Sequence, residues 1–220
     1  MDTDTAASLR LTPRQLIRLV AVVNGVTIAN LYYCQPLLPQ IALSYAETPS
    51  VGNLTATGQL GYALGLILLV PLGDIVRRRR LVCLLLCVDA VALVATATAP
   101  TVEVLLATGV VVGAATSSVV QILLPYAATL AAEHERGRVV ATVLSASLSG
   151  ILLSRAVAGL VGQFFGWPTV FLAAAAVSLV LSGIVVRFMT PTAPEVAIGY
   201  RAQLGATLHL AMSEPLLRRR

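Results

Sequence analysis

The chain has 220 residues, of which 57% are hydrophobic and 11% are charged, and its mean hydropathy is +0.87. About a quarter of the residues of a soluble domain are charged. The composition therefore excludes an ordinary soluble domain and indicates a polytopic membrane protein. The net charge of +5 comes from fifteen arginines without any lysine. Because these arginines cluster at the ends of apolar runs, they favour a role in membrane topology over nucleic-acid binding.

The cysteines and histidines predict neither a metal site nor a cofactor site. Cys34, Cys83 and Cys87 lie in apolar runs without a CxxC motif, which indicates small buried hydrophobic residues. His134 and His209 are isolated in the sequence, so no metal-ligand pattern is present.

In chain order, residues 1–13 predict a disordered cytoplasmic tail and residues 14–189 a bundle of six transmembrane helices. A span needs about 20 apolar residues, and Pro36 and Pro39 are expected to bend or end the first one. The predicted spans cover residues 16–41, 54–72, 81–97, 102–130, 139–164 and 168–186. Residues 190–220 predict a cytoplasmic linker with an amphipathic surface helix, leading to a missing second half.

The arginines also predict how the bundle is oriented. No arginine falls in a predicted outer loop, and Arg155 is the one that falls within a span. All others lie in segments that this topology places inside: Arg10, Arg14, Arg18, Arg77, Arg78, Arg79, Arg80, Arg136, Arg138, Arg187, Arg201, Arg218, Arg219 and Arg220. Because basic loops stay on the cytoplasmic side, we expect an all-α membrane protein with both termini in the cytoplasm.

Three stretches of the chain carry a family resemblance. The loop after the second span has Asp74, Arg78 and Arg79 at the spacing of a Gly-xxx-Asp-(Arg/Lys)-x-Gly-Arg-(Arg/Lys) motif. Residues 30–39 read NLYYCQPLLP, residues 136–138 read RGR, and residues 166–171 read GWPTVF. Together they resemble the N-terminal half of a major facilitator superfamily transporter, close to bacterial drug- and sugar-efflux members.

The resemblance implies a fold and a function. The fold is half of a 12-helix transporter, with six helices arranged as two three-helix inverted repeats. The function is proton-coupled efflux of a small organic solute by alternating access across the bacterial inner membrane. A C-terminal six-helix half is expected in the same longer chain or in a partner copy, and no enzyme activity is expected. The chain departs from the family's motifs at two places. Gly109 replaces the usual cation of span four, and Ser154-Arg155 replaces the Gly-Pro of the antiporter signature in span five.

Polar residues inside the spans are the candidate solute and ion pathway. Arg155 is interpreted as a pathway contact or as an anchor to a neighbouring helix, because a charge in hydrocarbon needs a partner or water. Asp89 is interpreted as a proton carrier or as a structural group, either paired with an arginine or hydrogen-bonded to a neighbouring helix. The neutral candidates line the pathway or bond across helices: Asn24, Asn30, Tyr33 and Gln121.

Two further groups of residues have conformational interpretations. Asp74, Arg78 and Arg79 match the family's gate latch, with a solvated basic loop as the alternative. Glycines in the spans predict close helix packing. Four of them form two GxxxG pairs, Gly61 with Gly65 and Gly109 with Gly113, and the fifth is Gly159.

Two other functions remain open. One is a non-transporting half that only assembles with, or regulates, a full transporter. The more remote one is an intramembrane protease, since Ser147-Leu148-Ser149-Gly150 lies in a span. The protease hypothesis requires a histidine base in another span, whereas His134 and His209 fall in predicted cytoplasmic segments.

The predicted orientation is tested by thiol labelling after Cys34, Cys83 and Cys87 are replaced by alanine. Arg80→Cys is expected to be protected from an impermeant maleimide in intact cells and labelled in everted membrane vesicles, because its loop faces the cytoplasm. Thr101→Cys, in a predicted outer turn, is the control and should show the opposite pattern. Labelling of Arg80→Cys in intact cells would contradict the orientation.

Overall fold

The computed structural model describes residues 11–46 and 48–190, with the backbone alone at Asp74. Within these residues the chain forms eight α-helices. They are α1 (Pro13–Ala29), α2 (Cys34–Ser44), α3 (Leu54–Leu68), α4 (Leu72–Ile75), α5 (Arg78–Ala97), α6 (Val102–Thr129), α7 (Arg136–Phe165) and α8 (Trp167–Phe188). Short 3-10 helices, Pro49–Asn53 and Glu133–Glu135, precede α3 and α7. Most of the predicted N-terminal tail and the predicted surface helix lie outside the described residues.

Five helical stretches are long and apolar enough to cross a membrane: Pro13–Ser44, Arg78–Ala97, Val102–Thr129, Glu133–Phe165 and Trp167–Phe188. The second predicted span is different, because α3 has 15 residues. At 1.5 Å per residue, α3 reaches about 22 Å, which is less than the roughly 30 Å of a hydrocarbon core. The helix stops shortly before Pro71, which has no N–H to continue it. The count of six spans therefore stays a prediction.

The first predicted span is interrupted between α1 and α2. The interruption is a tight turn in which the N–H groups of Asn30, Leu31 and Tyr32 each bond to the carbonyl three residues earlier, at 3.1, 3.3 and 2.9 Å. Pro36 lies just beyond, and its ring excludes a regular helical bond to the carbonyl of Tyr32. The sequence predicted a bend or end at Pro36 or Pro39. The observed break lies one turn earlier, and α2 accommodates Pro39 within it.

Two apolar clusters fill opposite ends of the bundle. One includes Leu86 and Tyr126 and lies at the arginine end, defined as the end where α1, α5 and α7 begin and α8 finishes. The other includes Leu93 and Phe171. Between the clusters lies a polar layer of buried side chains: Asn24, Thr27, Asn30, Asp89, Thr116, Ser117, Ser118, Ser147, Ser154 and Ser178. The polar layer thus occupies the middle of the bundle.

Two helix pairs cross with their backbones in contact. Where α1 crosses α7, a Cβ atom on Gly150 would collide with the carbonyl oxygen of Gly25. Where α3 crosses α6, a Cβ atom on Gly113 would collide with the carbonyl oxygen of Gly58. The predicted packing glycines at this second crossing are Gly61, Gly65, Gly109 and Gly113. Small residues of this kind let membrane helices approach closely.

Gly159 has open space beside its Cα atom in the described chain. A Cβ atom at this position would meet no atom of the described chain within 4 Å. The reason is that α7 lies at the edge of the bundle, with 17% of its apolar stretch buried, against 44% or more in the other candidate spans. Among the described residues, no neighbouring helix packs against Gly159, and its interpretation as a packing site stays a prediction.

Gly150 and Gly159 therefore form a matched pair of positions on α7. Gly150→Ala is expected to destabilise the bundle by about 1–3 kcal/mol because the added methyl group forces the helices apart. Gly159→Ala should be neutral or stabilising by up to about 1 kcal/mol, because alanine is the better helix former. Thermal unfolding in detergent measures both variants. Equal unfolding temperatures would contradict the contact between α1 and α7.

Candidate functional site

A groove follows the seam between α1 and α7. It has a volume of about 290 Å³ and is mostly apolar, because its walls are small or aliphatic residues such as Val22, Val26, Leu153 and Val157. Ser149, Ser154 and the ring of Tyr33 complete its lining. The groove exists because glycines at the crossing leave no side chain between the two helices.

A second cavity, the arginine mouth, lies at the arginine end of the same seam. Its volume is about 300 Å³, and Arg14, Arg18, Arg138 and Glu135 contribute its charged groups. None of the three guanidinium groups forms a hydrogen bond or ion pair with another described residue. Among the described residues, the mouth therefore combines one carboxylate with three cations that have no partner.

A buried carboxylate lies in the polar layer, behind the groove. Asp89 of α5 is fully buried and accepts hydrogen bonds from three other parts of the bundle. The Asn30 Nδ2 atom donates to Oδ2 at 2.6 Å, the Ser178 hydroxyl of α8 donates to Oδ2 at 2.9 Å, and the Thr116 hydroxyl of α6 is 3.5 Å from Oδ1. Asn30 also donates to the Ser178 hydroxyl at 3.1 Å. These contacts, which we call the Asp89 cluster, join the break after α1 to α5, α6 and α8.

The chemistry of the Asp89 cluster depends on the protonation of its carboxyl group. Every contact is a donor directed at an oxygen, and an ionised carboxylate is an acceptor of such bonds. A protonated Asp89 would carry a donor of its own, so at least one of the Asn30, Ser178 and Thr116 contacts would have to change. Asn30 is the first residue after α1, so a change in the Asn30 contact would reach the break between α1 and α2, whereas a change confined to the Thr116 contact would not.

Asn24 connects the polar layer to α7. Its Nδ2 atom donates to the Ser147 hydroxyl at 2.6 Å. Its Oδ1 atom and the Thr27 hydroxyl, one turn further along α1, are buried without a hydrogen-bond partner among the described residues. Ser147 precedes the groove residue Ser149 by two positions, so this contact lies close to the Gly25–Gly150 crossing.

Other pathway candidates lie apart from the groove. Gln121 of α6 lies beside the hydroxyl of Tyr62 of α3. Arg155 is exposed on α7 and forms no hydrogen bond or ion pair with a residue that the structure describes. Helical residues are about 100° apart, so Arg155 points about 160° away from Leu153 and Val157, which line the groove. The structure does not bring Arg155 to the groove.

The residues of the predicted latch are described in part. The side chain of Asp74 lies outside what the structure describes. Arg78 is buried at the start of α5 and has interaction partners. Arg79 lines a cavity of about 390 Å³ together with Arg77 and Arg80.

Sequence reasoning missed two features of these sites. It did not single out Thr116 or Ser178, and it considered Ser147 only for the protease alternative, because a hydroxyl in an apolar span carries no sign of which neighbour it faces. It also assigned Arg14, Arg18 and Arg138 to topology alone. Their helical spacing was a signal that could have placed them on one seam: Arg18 lies four residues before Val22 of the groove, and Arg138 lies eight residues before Ala146 of the groove.

Comparisons with known proteins agree with the helical architecture. The sequence profile described as Major Facilitator Superfamily matches residues 20–217. The chain is similar in structure to the xylose transporter XylE from Escherichia coli, in a partially occluded inward-open conformation, with a TM-score of 0.66 and 18% identity. That similarity covers 92% of this chain and 56% of XylE, and at this identity it concerns the fold alone.

Two relatives are named as transporters. The chain is 38% identical over 206 residues to the uncharacterized transporter YgaY of Escherichia coli (strain K12), which covers 93% of the chain and 52% of YgaY. It is 42% identical over 179 residues to a protein named probable transporter SCO4007 of Streptomyces coelicolor, covering 81% of the chain and 41% of that protein. The chain thus spans about half the length of the relatives it matches. These similarities confirm the predicted resemblance to transporters rather than enzymes, and the chain belongs to the Major Facilitator Superfamily.

Proposed function

We propose that the chain forms one six-helix half of a secondary active transporter that exports a small organic solute in exchange for protons. The observation that carries the proposal is the groove between α1 and α7, which extends from Ala21 past the Gly25–Gly150 crossing to Tyr33, with the arginine mouth next to it on the same two helices. A groove along a helix seam gives a solute contact with protein over much of the membrane depth. We place the arginine end, and both termini, in the cytoplasm of a bacterial cell.

The exposed surface of α7 supports a second half. This surface carries Ser145, Arg155 and Gln163, which are exposed although they lie in a membrane-spanning helix. Polar and charged groups at this depth require protein or water rather than lipid. In this proposal a second six-helix bundle covers α7 and supplies the partner that Arg155 needs, either from a longer chain or from a partner copy.

The pairing of the helices supports an inverted repeat. The two crossings join α1 with α7 and α3 with α6, which are the first and fifth, and the second and fourth, of the six proposed spans. Exchanging spans one to three with spans four to six converts one crossing into the other. Transporters built from such repeats change access by rocking bundles against each other around a site near the bilayer midplane, the depth at which the polar layer lies here.

Asp89 is our candidate for the proton-binding group. Of the carboxylates whose side chains the structure describes, it is the one that is buried. Proton binding would alter its contact with Asn30 at the break after α1, and α1 forms one wall of the groove. Asp74, Arg78 and Arg79 are proposed to act separately, as a latch that holds one of two arrangements of the halves.

Transport is tested in everted vesicles energised with a proton gradient, using a pH-sensitive acridine dye. The chain is expressed alone and together with the C-terminal half of YgaY, and ethidium, arabinose and 2-naphthoate are added as probes. We expect probe-dependent proton release from the combined halves and none from the chain alone. Proton-dependent flux through the chain alone would contradict the need for a second half.

Proton coupling is tested by Asp89→Asn in the combined halves. Flux through the variant should lose its dependence on pH, because an amide cannot bind and release the coupling proton. Glu103→Gln removes an exposed carboxylate at the start of α6 and should leave the pH dependence unchanged. Size-exclusion profiles confirm that both variants fold. A pH profile of Asp89→Asn equal to that of the unmodified protein would eliminate Asp89 as the coupling group.

A further inference from the structure

We propose that the groove takes an organic anion with an apolar body. The anionic group binds in the arginine mouth between Arg14, Arg18 and Arg138, and the apolar body lies along the groove between α1 and α7. This inference rests on the proposed function and adds the class of solute to it.

The charges of the arginine mouth favour an anion. Arg14, Arg18 and Arg138 form no hydrogen bond or ion pair within the described part of the chain, and Glu135 is the acidic residue that lines the same cavity. The formal charges of the described lining residues therefore leave an excess of two positive charges. Both α1 and α7 begin at this end, so the positive ends of two helix dipoles add to the attraction. Guanidinium groups bind carboxylates and phosphates through paired hydrogen bonds.

Membrane orientation explains why arginines occur in these two segments, but it does not explain their shared cavity. Arg14 and Arg138 come from helices far apart in sequence and face the same space, whereas Arg136, two residues before Arg138, does not line it. Positive-inside topology depends on the number of basic residues in a loop and not on the direction in which they point.

The mouth and the groove follow one seam. Along α1, the lining residues Arg14, Arg18, Val22 and Val26 are spaced by four, which places them on one face of the helix. From Arg18 to Val26 the axial distance is about 12 Å at 1.5 Å per residue. A bicyclic ring or a short alkyl chain has this reach. Glu135 offsets one of the three arginines in the mouth, and no described acidic residue lines the groove. A cationic solute would therefore meet net repulsion.

Three probes with one apolar body and different charges test the proposal. The chain, in nanodiscs of neutral phosphatidylcholine, is equilibrated by dialysis with 2-naphthoate, 2-naphthamide or 2-naphthyltrimethylammonium. We expect 2-naphthoate to bind at least about tenfold more tightly than the amide, and the cation to bind most weakly. Equal binding of the three probes would overturn the anion assignment while leaving the proposed solute path in place.

Matched variants locate the binding. Replacing Arg14, Arg18 and Arg138 by glutamine should remove the preference for 2-naphthoate over the amide. Replacing Arg77, Arg80 and Arg187 by glutamine removes the same amount of charge elsewhere. This variant should keep the preference for 2-naphthoate over the amide. An equal loss in both triple variants would mean that the attraction is a property of the whole charged surface, which would overturn the site.

The apolar part of the site is tested independently of charge. Ser149→Phe fills the groove and should weaken the binding of both naphthoate and naphthamide about tenfold or more. Leu148→Phe, on an exposed surface outside the groove, should weaken neither. An unchanged affinity in Ser149→Phe would overturn the placement of the apolar body.

A lipid headgroup is the other source of an anion at this end of a membrane protein. Nanodiscs containing phosphatidylglycerol separate the two sources. Solute binding predicts that 2-naphthoate affinity falls by less than about threefold in these discs. A fall of tenfold or more that is absent in the Arg14/Arg18/Arg138 variant would identify a lipid site and overturn the solute class. Absence of binding by all three probes, with flux of another solute retained, would also overturn it without affecting the transporter proposal.

Discussion

The contact between the backbones of α1 and α7 at Gly25 and Gly150 determines where the candidate groups lie. With no side chain between them, the two helices meet directly at the crossing, and their small residues leave the groove open along the seam. The contact also aligns the starts of the two helices, so that arginines from both face the same mouth. A larger residue at the crossing would separate the walls of the groove and the arginines together.

The Asp89 cluster connects this seam to the rest of the bundle. Asp89 holds the break after α1 through Asn30, and it holds α6 and α8 through Thr116 and Ser178. The break is held by its own backbone bonds, mostly to carbonyls three residues earlier, and by the bond from the Asn30 side chain to Asp89. One of the groups that hold the break is therefore a buried carboxylate. In the proposed mechanism, proton binding at Asp89 reaches one wall of the groove through Asn30 and α1.

Much of the fold could be predicted from the sequence, whereas most of the site could not. The limits of spans three to six follow from long apolar runs between charges and turn residues, and α5 to α8 lie within a few residues of them. The break was misplaced because a proline disturbs the turn before it. Asn30 and Asp89 were both selected as polar residues in spans, but their contact joins positions 59 residues apart and has no local signal. Likewise, the sequence places Arg155 in the membrane but does not show which side of α7 faces the groove.

Alternating exposure of the groove is the claim on which the whole interpretation depends. The most direct measurement labels Ser149→Cys with an impermeant thiol reagent from each side of the membrane, in combined halves with Cys34, Cys83 and Cys87 replaced by alanine. We predict labelling from both sides, with a ratio that changes when a proton gradient is imposed. Labelling from one side alone, unchanged by the gradient, would contradict a solute path between α1 and α7.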